Sequence, residues 1–400
     1  MNSRHTPNVL LMVDSFDVGG AEGQILLLAR LLMKSGRYGV RLACLNRRGK
    51  LHAEAEALGV GPIPEFPLTS FYDANMARQL RRFRAYAREQ EIKVVHTDGF
   101  YTNVFGILGG AVAGVPARVA FRGETAGWRT RGQDAVERFV YRLASVVHAN
   151  SEACKRYLLE RGVPESRIAV VYNGLDLGRV TPAPGLTRAE ALAACGLPSE
   201  EGRRFVTIVA NVQHRVKDHP TFLRAAARVR AAVPEAAFVV AGEGELMNEL
   251  RGLTVELGIS DDVFFIGRCE RVAELLFVSD VCVLSSKAEG FSNSILEYMA
   301  AARPVVVTDV GGAREAVAEG ETGFIVPPGD DAAMGARIVE LLREPERARS
   351  MGTRGKMVVE EKFSCGAQLE RAAELYDQLL QRPTLQALGR EVEGASRERA

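Results

Sequence analysis

The chain has 400 residues, 47% hydrophobic, 25% charged and 7% aromatic. That balance excludes a disordered chain, a collagen-like repeat and a disulfide miniprotein, and it asks for more than one core. Formal net charge is +1, yet residues 1–185 hold 25 Lys and Arg against 17 Asp and Glu, while the rest hold 26 against 33, so the basic half suits an anionic partner.

In chain order, NVLLMVD at 8–14 is a short apolar run suited to a strand buried on both faces. Gly19 and Gly20 follow, then a leucine-rich helix from about 21 to 33. Apolar runs near 39–45, 92–97, 117–122, 145–150 and 168–172 recur with helical segments between most of them, the order of a parallel sheet covered on both faces. Within residues 76–93, Leu80, Phe83 and Ala87 share one helical face, and Arg78, Arg81, Arg82, Arg84 and Arg88 fill the other sides. Such a face is either solvated or a peripheral contact with anionic membrane lipid. The longest unbroken apolar run, residues 105–115, spans 11 residues, short of the roughly 20 that cross a bilayer.

The pattern breaks over residues 178–202, where Pro182, Pro184, Gly185, Gly196 and Pro198 surround a short Ala-rich helix. A new buried strand starts with RFVTIVAN at 204–211, followed by strand candidates at 236–241, 262–266, 280–285, 304–308 and 323–327. The expected fold is α/β, with two Rossmann-like doubly wound domains at 1–185 and 186–363 facing across a cleft. Ligands in such sheets bind beyond the carboxyl ends of the strands. Residues 364–381, amphipathic from 368 to 380, are expected to form a helix returning to the first domain, and the polar stretch 382–400 a mobile tail.

The six cysteines, at 44, 154, 195, 269, 282 and 365, include no CxxC pair, which favours buried, reduced thiols in a cytoplasmic protein over a zinc site. The N-terminal residues show no secretory-signal pattern.

Chemistry concentrates in EGFSNSILE at 289–297, placed between the strand candidate that ends just before Ser285 and the next strand, which Pro304 starts. Ser292 or Asn293 is a suitable N-cap for a helix ending near Arg303. The amides of 291–294 at that positive helix end suit a phosphate. Glu289 in the loop and Glu297 inside the helix can each accept hydrogen bonds from sugar hydroxyls.

This string, with PVVVTDVGG at 304–312, resembles the signature of retaining GT-B glycosyltransferases of family four. The likeness is close over 205–363 and looser, in the same order, over 9–176. It implies that Glu289 contacts the donor sugar and Glu297 holds the ribose. It further implies that Gly290, Phe291, Ser292 and Asn293 face the sugar and diphosphate. ANVQHRVKDH at 210–219 is similar to the family's basic diphosphate loop, with Lys217 its clearest match. Asn211 and Val212 stand where relatives often carry an arginine, and Arg215 is the candidate substitute. Two cations at a strand end would neutralise the leaving diphosphate, on which charge builds during transfer. Gly19 and Gly20 match the glycine loop after the first strand, where glycine permits positive φ and close approach to a ligand. NGLD at 173–176 matches a turn with an expected structural role.

One departure is that Arg122, Gly123 and Glu124 stand where many relatives have a histidine near the reacting sugar. Arginine cannot serve as a general base, so Arg122 is a candidate for phosphate charge, with His96 and Asp98 as other cleft candidates. The acidic pairs at 261–262 and 330–331 lack the DxD form that holds a metal–nucleotide, and GEG at 242–244 lacks the rest of a dinucleotide fingerprint. The expectation is therefore a metal-independent enzyme with no cofactor, a UDP-sugar donor favoured, a glycan or lipid-linked acceptor, and no nucleic-acid partner. A nucleotide-sugar epimerase of the same fold and a non-catalytic nucleotide-sugar binder are the alternatives.

Overall fold

The computed structural model describes residues 6–125 and 129–381. The apolar runs form two six-stranded parallel sheets. The first contains β1 (Asn8–Val13), β2 (Gly39–Cys44), β3 (Ile92–Thr97), β4 (Ala117–Arg122), β5 (Val146–Ala149) and β6 (Ile168–Val170), in the order β2-β1-β3-β4-β5-β6. The second contains β7 (Arg204–Val209), β8 (Ala236–Ala241), β9 (Val263–Gly267), β10 (Ser279–Leu284), β11 (Val305–Thr308) and β12 (Gly323–Val326), in the order β12-β11-β10-β7-β8-β9. The alternation of strand and helix along the chain imposes this arrangement, because a parallel crossover needs a helix. Valines dominate the strands because both sheet faces are covered; Val305, Val306 and Val307 are all fully buried.

Strand order reverses between β1 and β3 in the first sheet and between β7 and β10 in the second. The chain therefore diverges at those carboxyl ends and leaves a crevice in each sheet.

Helix α1 (Gly20–Ser35) buries Ile25, Leu26, Leu28, Ala29 and Leu32 as one stripe and ends at Gly36, whose φ of 66° is a left-handed cap. Helix α2 (Ala74–Glu89) starts at Asp73, which accepts a 2.9 Å bond from the Met76 amide, a cap that contributes about 1 kcal/mol. Its Met76, Phe83 and Ala87 are buried, and the five arginines foreseen on its other faces are exposed. Helix α3 (Arg131–Leu143) opens on a Thr130–Gln133 capping box, and helix α4 (Glu152–Glu160) on Ser151. Helix α5 (Asn293–Ala300) follows β10.

The last described helix, α6 (Cys365–Gln381), lays Ala372, Ala373, Tyr376 and Leu379 into the core of the first sheet, against residues of α1. The Tyr376 hydroxyl reaches His96 Nδ1 at 2.6 Å. Between β6 and β7 the chain crosses near Leu175, whose amide donates to the Phe363 carbonyl at 2.9 Å. Residues 382–400 lie outside the described residues.

Among the described residues no helix is long and apolar enough to cross a membrane. Cys44, Cys154 and Cys282 are buried as expected, whereas Cys195, Cys269 and Cys365 are half-buried. These three sit in short helices, turns and helix ends rather than in central strands, so the sheets do not cover them.

Candidate active site

The crevice of the second sheet gathers two loops. After β7 the chain makes a turn at Arg215–Lys217 and reaches Asp218, a left-handed residue with φ of 46°. After β10 comes the loop that carries Glu289 into α5. Bonds between the loops set their register: Ser285 Oγ donates to the Lys217 carbonyl at 2.8 Å, and the Lys287 amide to the Val216 carbonyl at 2.7 Å. As a result Lys217 Nζ lies 2.6 Å from Glu289 Oε1, which also accepts from Ser286 Oγ at 2.6 Å. Both side chains are mostly buried, Lys217 at 20% and Glu289 at 13% exposure, so the pair is only partly screened by solvent.

Ser292 is the N-cap of α5, but its side chain makes no capping bond. The amides of the first helical turn have no partner within the helix, and Ser292, Asn293 and Ser294 line the cleft. The helix is held at this spot by Ser294 Oγ, which donates to the Val209 carbonyl at 2.9 Å, and by Tyr298 Oη, which accepts from the Val209 amide at 2.6 Å. Gly290 has a packing reason: a Cβ there would collide with the carbonyl of Gly123 from the first domain.

A cavity of about 540 Å³ runs between the domains. From the first domain it is lined by Gly20, Asp98, Phe100, Tyr101, Arg122, Arg129 and Asn150, among others. This wall is acidic beneath its surface. Burial pushes the Asp98 carboxyl well above its ordinary range, with Glu22 and Asp14 adding to the shift, and burial raises Glu22 and Asp14 as well. Asn150 Oδ1 is buried without a hydrogen-bond partner, an acceptor left open beside the cavity. A second cavity of about 680 Å³ shares Gly123, Glu124, Lys217, Glu289 and Gly290 and extends along His214, Arg215 and Val216.

Of the residues singled out in the sequence, Gly20, Arg122, Asn211, Lys217, Glu289, Gly290, Phe291, Ser292 and Asn293 meet at the first cavity. Glu297 lies one turn deeper in α5, outside that lining, half-buried and with its carboxyl raised by burial against the lowering effect of Arg179. Arg215 lines the second cavity, with its side chain 70% exposed and its guanidinium bound to Glu249 through two 2.8 Å bonds. Arg122 is fully buried: its Nη1 lies 3.1 Å from Glu137, and Nε donates to the Glu124 carbonyl at 2.8 Å. Glu137 is shared with Arg129, and Arg122 Nη2 is buried without a hydrogen-bond partner.

Gly19 is extended, with φ of −141°, so positive φ is not its role; a Cβ there would strike the Glu22 carboxylate. His96 lies under the cleft wall, bound to Tyr376 and to His148 Nδ1 at 3.0 Å, whereas Asp98 reaches the cavity. Gly242 and Gly244 admit the backbone of 210–213, which a Cβ at either would strike. The acidic pairs serve structure: Asp262 binds Arg203 and Arg230, and Asp331 binds Arg224 and Arg228.

Sequence reading did not single out Arg129, Asn150 or Gln24. Asn173, expected to be structural, is also a cleft residue: its Nδ2 donates to Asn293 Oδ1 across the domains at 2.8 Å. Gln24 reaches the Gly174 carbonyl at 3.0 Å and accepts from Gln368 at 2.9 Å. The signal was a run of amides at or near strand and helix ends, each ordinary by itself.

Residues 196–358 match the family described as glycosyl transferases group 1, and residues 18–179 match glycosyltransferase family 4. The chain is 36% identical over 223 residues to the putative glycosyltransferase EpsD of Bacillus subtilis, covering 55% of this chain. It is 30% identical over 226 residues, 56% of this chain, to the N-acetyl-alpha-D-glucosaminyl L-malate synthase of Bacillus anthracis. In each case the matched part spans 58% of the relative's length. Among solved structures, Anabaena Alr3699/HepE in complex with UDP superposes with a TM-score of 0.82 at 20% identity, over 93% of this chain and 100% of that one. The fold is the same, and with both halves matched in order the chain belongs to the group 1 glycosyltransferases of the GT-B fold.

Proposed function

We propose that this protein is a retaining glycosyltransferase that moves a sugar from a nucleoside diphosphate sugar, with UDP as the favoured carrier, to a glycan or lipid-linked acceptor. The observation that carries this reading is the meeting of Lys217 and Glu289 beside the open N-terminus of α5. An ammonium and unpaired helix amides suit a departing diphosphate, on which negative charge accumulates. Glu289, held by Lys217 and Ser286, is placed to accept from hydroxyls of the donor sugar, and Glu297 from those of the ribose. The solved relative bound to UDP supports uridine as the base.

In this reading no metal is needed, because Lys217 and the helix end supply the positive charge. The acceptor hydroxyl approaches from the first-domain wall on the face from which the diphosphate leaves. Its oxygen bonds to the anomeric carbon as the bond to the diphosphate oxygen breaks, and its proton passes to that departing oxygen. Closed domains exclude water and limit hydrolysis of the donor. The exposed arginine row of α2 is the surface that would meet an anionic bilayer carrying a lipid-linked acceptor.

The test is incubation with UDP-sugars, with and without a mixture of glycan and lipid-linked acceptors, followed by NMR of the product. An acceptor-dependent product with the donor's anomeric configuration is expected. An inverted linkage would overturn retention, and conversion of the donor without any acceptor would favour the epimerase.

A further inference from the structure

A third concavity lies at the opposite end of the first sheet from the cleft. The carboxyl end of α3 precedes β5, and residues 161–167 precede β6, so both segments sit at the amino ends of those strands. Between them opens a cavity of about 470 Å³, and Arg138, Arg142, Arg161 and Arg167 all line it. Among the described residues none of the four comes within ion-pair reach of a carboxylate. Their acidic neighbours are turned elsewhere or stay outside: Glu165 binds Lys155 at 2.8 Å, and Glu160 does not line the cavity.

Two of the arginines are oriented by the fold. The Arg161 guanidinium lies 3.6 Å from the centre of the Tyr157 ring, and Arg167 Nη1 donates to the Arg142 carbonyl at 2.8 Å. Most other arginines of the molecule with an oriented head group are paired with acids, as Arg122, Arg203 and Arg215 are. Four like charges gathered in one hollow repel one another unless an anion joins them. Planar guanidinium forks match phosphate oxygens two at a time.

We infer that this cavity is a binding site for a phosphorylated ligand, separate from the sugar-transfer cleft, with Arg138, Arg142, Arg161 and Arg167 as its anion-holding residues. Tyr141, Val163 and Pro164 also line the cavity and give it an apolar wall, so the phosphate is either that of a soluble molecule or a phospholipid headgroup.

The experiment titrates inorganic pyrophosphate into the whole protein and into two double variants. R138Q/R142Q removes two charges from the cavity, and R81Q/R84Q removes two from the exposed face of α2. Thermal melting of each confirms folding. R138Q/R142Q is expected to lose one class of pyrophosphate site, or to bind there about tenfold more weakly or worse, while R81Q/R84Q keeps it. Sedimentation with phosphatidylglycerol–phosphatidylcholine vesicles then identifies the source. Vesicle binding that pyrophosphate displaces, and that R138Q/R142Q lacks, supports a headgroup. Vesicle behaviour unaltered by R138Q/R142Q, with the pyrophosphate site lost, supports a soluble phosphate. Pyrophosphate isotherms that superimpose for the wild type and R138Q/R142Q overturn the site. An equal loss in R81Q/R84Q overturns it too, since the effect would then be one of net charge.

Discussion

Glu315, in the short helix Ala313–Ala316 of the second domain, accepts hydrogen bonds from the amides of Glu152 at 2.7 Å and Ala153 at 2.8 Å. A carboxylate of one domain therefore caps α4 of the other and meets the positive end of its dipole. Removing a charged partner from such bonds costs about 1.5–3 kcal/mol. Glu315→Ala is expected to loosen the joint between the domains while leaving the loops of Lys217 and Glu289 untouched. Small-angle scattering should give a larger radius of gyration for the unliganded variant, with UDP affinity unchanged. An unaltered scattering profile would refute the clamp.

The two site glutamates should separate kinetically. Glu289→Gln keeps the shape of the side chain beside Ser286 and loses the charge that faces Lys217. Its expected effect is a loss of turnover of about 10²-fold with little change in UDP affinity, measured by steady-state kinetics and calorimetry. Glu297→Ala should weaken uridine and UDP alike. Uridine binding that stays at the wild-type level in this variant would remove Glu297 from the nucleoside site.

Asp98 makes stability depend on pH. Its ordinary value is 3.8, and burial with Glu22 and Asp14 lifts it in the fold, against the lowering effect of the Thr102 hydrogen bond. The folded state holds this proton longer than the unfolded chain, so its contribution is full below 3.8 and lost as pH rises through the lifted value. Asp98→Asn should escape that loss. The melting temperature of the variant minus that of the wild type should grow between pH 4 and pH 8, by about 1–2 °C for each kcal/mol recovered. A difference that stays flat with pH would contradict the argument.

The buried histidines act in the opposite sense. With both rings neutral, His148 Nε2 donates to the Val171 carbonyl at 2.8 Å, its Nδ1 accepts from His96 Nε2, and His96 Nδ1 accepts the Tyr376 hydroxyl. Burial pushes His148 down to about 4 and His96 well below 6.5, His148 adding to the second shift. The stability held by these neutral rings is full above 6.5 and lost as pH falls toward 4. Thermal melts should decline over that window, and less steeply for His148→Gln. Equal slopes for the two proteins would show that the acid sensitivity arises elsewhere.

The strands and the two loops that bring Lys217 to Glu289 were legible because they depend on local pattern. Val305, Val306 and Val307 declare a strand buried on both sides, and Lys217 and Glu289 each follow a strand end. Strand order then brings those ends together, since β7 and β10 are neighbours at the reversal. Partners distant along the chain were not legible. Nothing near Arg122 in sequence announces Glu137 on α3, and nothing near Arg215 announces Glu249. Both arginines looked free for phosphate; in the fold Arg215 is bound to Glu249 outside the first cavity, and Arg122 is bound to Glu137 with only its Nη2 left without a partner. The amide cluster of Gln24, Asn173, Asn293 and Gln368 was hidden for the same reason, being assembled from four separate segments.

The most direct test of the donor site is calorimetric titration of UDP, GDP and ADP, without and with magnesium, into the wild type and Lys217→Ala. The account predicts that one nucleotide, with UDP favoured, binds without magnesium, and that Lys217→Ala weakens it by about tenfold or more while leaving its nucleoside unaffected. Binding that requires magnesium, or that is indifferent to Lys217, would contradict it.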